Sequence, residues 1–214
     1  MSECGASLPE DAHNMLKSGT ITRYMFKPSL IKFNELSLRH NRPFKRKTQD
    51  DEDVPQKIHT ANVRYMNKPL VFKIEASVDS VFEPSLEYGT PYQVMIRPDP
   101  SDILNLSSLE TLLDEGDFKD QIIADLPGDV PINTDLKELF NQEYLIRLKL
   151  KETKSGKNAY KSNIPDFSPG DLETGQNVSV VVKPMFWFTE EAHGLAYQVQ
   201  SFNLEEAKPI KKRK

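Results

Sequence analysis

The chain has 214 residues, with 28 Lys and Arg against 32 Asp and Glu for a net charge of −4. That length suffices for one cored domain with tails, and a hydrophobic fraction of 37% with a mean hydropathy of −0.57 leaves part of the chain outside any core. No apolar run reaches the roughly 18 residues of a membrane-spanning helix, the start MSECGASLPEDAHN lacks the order of a signal peptide, and the lone Cys4 excludes an internal disulfide or a cysteine zinc cage, so an intracellular protein without cofactor or metal is expected.

Charge is segregated along the chain. Between Lys17 and Lys47 nine Lys and Arg face one acid, Glu35, whereas between Asp99 and Glu143 twelve Asp and Glu face Lys119 and Lys137. The overall pI of about 5.7 therefore says little about any one surface. Residues 1–16 read as a disordered polar leader and 17–56 as a basic arm and linker. Within the arm, Thr20 to Phe44 mixes apolar and basic residues and is expected to be extended or a short strand docked on another surface. RPFKRKTQDDEDVPQ then swings from basic to acidic and ends in proline, as exposed linkers do.

The folded domain is expected over 57–206. His59 to Met66 and Leu70 to Val78 alternate apolar and polar residues about Asn67-Lys68-Pro69, which predicts a hairpin. Tyr92 to Ile96 is a third strand, stopped by Arg97-Pro98-Asp99-Pro100. An acidic insert over about 101–141 changes period and predicts three short helices. The first has Ser107-Ser108 as caps before Leu109, Leu112 and Leu113, the second carries Phe118, Ile122, Ile123 and Leu126, and the third is Thr134 to Phe140. Asp99 and Asp102 read as turn and cap residues rather than metal ligands.

Tyr144 to Lys151 returns to strict alternation, with Ile146, Leu148 and Leu150 on one face and Arg147, Lys149 and Lys151 on the other. ETKSGKN makes a turn and AYKSN a short returning strand. NVSVVVKPMFWF and GLAYQVQSFNLEE then form the last two strands before a basic tail, 207–214. Seven strands with short turns predict a mainly β, α+β fold, an antiparallel β-barrel with a short helical insert.

Two groups of residues point to a surface that grips a polyanion. Arg147, Lys149, Lys151, Lys154, Lys157 and Lys161 crowd one strand and its turn, with Tyr160 among them and Glu152 the lone acid. Alternate strand positions are ~6.5 to 7 Å apart, near the phosphate repeat of a stretched single strand. The second group is Lys183, Phe186, Trp187 and Phe188, with Tyr197 on the next strand. Three consecutive aromatics cannot share a face, so either Trp187 or the Phe186 and Phe188 pair points outward, where a ring beside cations makes a stacking platform. No phosphate loop, nucleophile elbow or metal-ligand spacing appears, and His13, His40, His59 and His193 are scattered, so catalysis is not expected.

The run DLETGQNVSVVVKPMFWF followed by TEEAHGLAYQVQSFNL resembles the closing strands of the single-stranded DNA-binding proteins of tailed phages and large eukaryotic DNA viruses. In that family a glycine opens the penultimate strand, an aromatic follows, and a Gly-Leu-x-x-x-Val pattern ends an oligonucleotide-binding (OB) barrel. The matching positions are Gly175, Phe186 or Phe188, Gly194, Leu195 and Val199. The resemblance implies an OB-fold-like barrel and sequence-tolerant binding of single-stranded DNA, or of RNA, in replication or recombination alongside other replication proteins. One departure is plain: the phage proteins end in an acidic tail, whereas this chain ends PIKKRK. Lys211, Lys212, Arg213 and Lys214, like Lys45, Arg46 and Lys47, fit nuclear import signals, which places the expected protein in a host nucleus. Self-association through the arm around Tyr24 to Leu38 is also expected. The rival expectation is a non-enzymatic virion or protein-interaction β-domain whose basic runs serve import alone.

Overall fold

The computed structural model describes residues 36–41, 44–46, 56–85, 90–111, 136–138, 144–151, 158–189 and 193–204. The expected leader, the second insert helix and the basic tail lie outside them. Strands β1 (Leu36–His40) and β2 (Phe44–Arg46) both run antiparallel to β3 (Gln56–Tyr65), so the end of the basic arm is a docked strand. Leu36 and Leu38 pack against the chain's own core, opposite Tyr65 and Val63. Ser37 and Arg39 alternate with them and face away.

The predicted hairpin is smaller than expected. Its tip is Met66-Asn67, both at positive φ (49° and 62°), the left-handed pair that a two-residue hairpin turn requires. Strand β4 (Lys68–Pro69) pairs back for two rungs only, Arg64 with Pro69 and Tyr65 with Lys68. The chain then enters β5 (Phe72–Phe82), which pairs with other strands and not with β3. One further bond, Leu70 N–H to the Val63 carbonyl at 3.0 Å, follows before the chain leaves β3.

Strand β5 pairs with β6 (Tyr92–Pro98), and a bulge at Asp79 shifts the register between Val78 and Ser80. Before the bulge Phe72, Ile74 and Val78 point inward; after it Val81 does, opposite the buried Val94. The one α-helix among the described residues, α1 (Pro100–Thr111), starts seven residues before the predicted serine cap. Asp99 caps it, accepting from the backbone N–H of Ser101 at 2.8 Å and its hydroxyl at 2.7 Å, and Pro100 stands at the first helical position. Ser108 is instead inside the helix, donating to the Leu104 carbonyl. Leu106 and Leu109 reach the core.

Two sequence expectations fail here. Leu136–Glu138 is not helical but strand β7, paired along the edge of β8 (Tyr144–Leu150) that β6 leaves free. Seven residues of TDLKELF suit either period, and an unpaired sheet edge decides the matter. AYKSN, too, is no ladder on β8. It makes one bond to it, Ala159 N–H to the Lys151 carbonyl at 2.9 Å, and a single parallel bridge of Lys161 with the last strand.

Strand β9 (Asn177–Phe188) organises the rest. One edge pairs with β5 through Val182 and with β3 from Met185 onward, while the other edge pairs with β10 (His193–Leu204). Pro184 sits at the changeover, where neither β3 nor β5 has a rung. The result is an OB-like, mostly antiparallel sheet wrapped about one core of Val, Ile, Leu and Phe side chains. It does not close into the continuous barrel expected. Among the described residues β8 and β10 share no ladder; the 158–163 segment bridges the seam through the Ala159 bond, two bonds of Lys161, to the Gln200 carbonyl (3.0 Å) and from Phe202 N–H (2.8 Å), and the Asn163 side chain, which exchanges two bonds with the Leu204 backbone.

Candidate nucleic-acid interface

Parity along β9 settles which aromatic faces out. Val178, Val180, Val182, Pro184, Phe186 and Phe188 point to the core, so Lys183, Met185 and Trp187 share the opposite face and are half-buried. The register extends that face across four strands. Arg39, Asn62, Met185 and Ala196 form one cross-strand row over β1, β3, β9 and β10, a span of roughly 14 Å at the usual strand spacing. Beside it run Thr60, Trp187 and Gly194, then Lys183 and Gln198. Neither Thr60 nor Gly194 is large enough to cover an indole from the side. Asn41 ties the polar part together: its amide donates to Thr60 Oγ1 at 3.0 Å and accepts from Asn62 Nδ2 at 2.6 Å.

A cleft of about 130 Å³ opens at the seam. One wall is Lys149 on β8 and Lys151 just past its end; the other is Met185 on β9, with Ala196 and Gln198 of β10 between them. Tyr160 and Tyr197 line its inner end. The lysines are exposed, and Arg147 is half-buried on the same face of β8, opposite Met95. Partial burial holds the Lys183 ammonium below the usual lysine range, since leaving water disfavours its charged form. An anion placed beside it would favour the charged form and oppose that shift.

The structure thus brings Lys149, Lys151, Met185 and Ala196 to one cleft and puts Lys183 and Trp187 on the same outward face as Met185. Four other aromatics are corrections. Phe186, Phe188 and Tyr197 are 1%, 4% and 3% exposed, and their rings belong to the core because they alternate with the outward residues. Tyr160 is also buried, edge-on to Phe167 at 6.3 Å, and Phe167 stacks on Phe202 at 5.6 Å. Tyr160 sits among lysines in sequence, and these distant rings draw it inward. Phe188 stacks instead on His59, at 4.8 Å. Lys161 is exposed but is defined chiefly by its backbone bonds to β10. Lys45 and Arg46 lie on β2, while Lys154, Lys157, Lys47 and Lys211 to Lys214 lie outside the described residues. Arg39, Asn62 and Met185 were missed because their shared face exists only once β1 and β3 pair.

No protein-family model matches the chain, and no curated protein matches its sequence. Among solved structures the chain is similar to a C-terminally truncated single-stranded DNA-binding protein from bacteriophage Enc34. The identity is 10% and the TM-score 0.39, over 78% of this chain and 97% of that one.

Proposed function

We propose that this chain binds single-stranded DNA along the outward face of β9 and β10, coating unpaired strands in viral replication or recombination, and that it catalyses no reaction. The observation that carries the reading is the seam cleft, with Lys149 and Lys151 on one wall and Met185 on the other, and with Lys183 and Trp187 on the Met185 face of β9. Lysines there neutralise phosphates and the indole stacks on a base, neither of which reads sequence. A filter-binding competition of oligo-dT, duplex DNA and RNA over a salt series tests it. Oligo-dT should bind tightest, with log affinity falling linearly in log salt by about 0.7 per phosphate neutralised. Duplex binding as tight as single strand, or no salt dependence, ends the proposal.

The alternative is a protein-docking domain of a virion or a larger assembly. Burial of Phe186, Phe188, Tyr160 and Tyr197 favours it, because it leaves fewer rings for bases than the sequence promised. The same competition separates the two, since a docking domain binds no oligonucleotide at any salt.

A further inference from the structure

The second half of the sheet holds a ring that the sequence reading passed over. Phe82, at the end of β5, is 54% exposed, although it follows a strand whose even-numbered residues Phe72, Ile74 and Val78 are buried. The bulge at Asp79 causes this. It inserts one residue, so that Val81 takes the inward place and Phe82 is turned to the outer face opposite Gln93. The bulge is held from three sides: Arg97 pairs with the Asp79 carboxylate at 2.9 Å, Ser80 donates to it at 3.2 Å, and Thr174 donates to the Asp79 carbonyl at 3.0 Å. Without it Phe82 would fall on the core side.

Gln93 is in turn opposite Lys149, so Phe82, Gln93 and Lys149 make one cross-strand row over β5, β6 and β8. Lys149 is also a wall of the seam cleft. Two strand spacings, about 10 Å, separate the ring from that wall at the backbone. Resting on the proposed single-strand binding at the cleft, we infer that Phe82 is a second base-stacking platform, and that the bound strand runs from Trp187 across the seam past Lys149 to Phe82. What singles out Phe82 is its place at the end of a row that leads from the cationic wall, where its exposed flat face can take a nucleobase by stacking.

The test uses the full chain, whose sole tryptophan is Trp187, so intrinsic fluorescence reports the first platform alone. Phe82→Ala should weaken binding to an oligo-dT of about 20 residues by roughly five- to 150-fold, yet change binding to one of about four residues little. Quenching of Trp187 at saturation should stay as in the wild type. Equal affinity of both proteins for the long oligonucleotide overturns the second platform and leaves the cleft reading intact. A wild type that neither binds nor shows quenching removes the cleft reading, and this inference with it. The double variant Phe82→Trp, Trp187→Phe supplies a direct readout: its emission should be quenched by the long oligonucleotide, and unchanged emission at saturation overturns the inference.

Discussion

Trp187 and Phe186 are neighbours in sequence and opposites in environment, and a pair of alanine variants separates binding from folding. Phe186→Ala empties a fully buried site between Ala61 and Leu195 and should lower unfolding stability by about 3 to 5 kcal/mol. Trp187→Ala should cost much less stability but weaken oligo-dT binding by about 1 to 3 kcal/mol. Thermal melts and fluorescence anisotropy on both proteins check this, and a large stability loss for Trp187→Ala with unchanged affinity would count the indole as core. At this scale the sequence was half legible. Alternation showed that Phe186 and Trp187 must face apart, but which of them faces the core depends on β3 and β10 as neighbours. Tyr160 was illegible, since what buries it, Phe167 with Phe202 stacked behind, lies in other elements.

Elements whose period and punctuation agree were readable: β6, β9 and β10 combine alternating or continuous apolar runs with Gly, Pro or Asn at their ends, and β8 shows strict alternation. Gly175 shows what such punctuation does. It precedes β9 at φ 84°, donates to the Val78 carbonyl at 2.7 Å, and so clamps the start of β9 onto the bulged part of β5. An added Cβ would meet nothing within 4 Å, so the cost of Gly175→Ala is backbone strain alone, about 1 to 2 kcal/mol, and Gly175→Asn should cost less. Urea unfolding of the two variants measures it; equal stability of Ala and Gly at 175 would contradict the strain. The bulge at Asp79 and strand β7 were not readable, because one extra residue leaves no trace in composition and Leu136–Glu138 is too short to show a period.

For the molecule as a whole, segregated charge lets a chain of net −4 present a cationic face. The register that assembles the face was not legible from that segregation, because pairing joins Arg39 to Asn62 and Met185 across more than a hundred residues. The basic runs support a further part of the proposal, nuclear import. A fusion too large for passive entry should accumulate in nuclei and lose most of that signal without residues 207–214, as fluorescence microscopy would register; an intact fusion that stays outside argues against import. The incomplete seam has its own consequence for such a molecule. Its two walls do not share rungs, so no ladder fixes their separation, which is set by side chains and by the few backbone bonds of Ala159 and Lys161. Under the proposed single-strand binding, such a slot would admit a purine and a pyrimidine in turn, the mechanical counterpart of indifference to base identity.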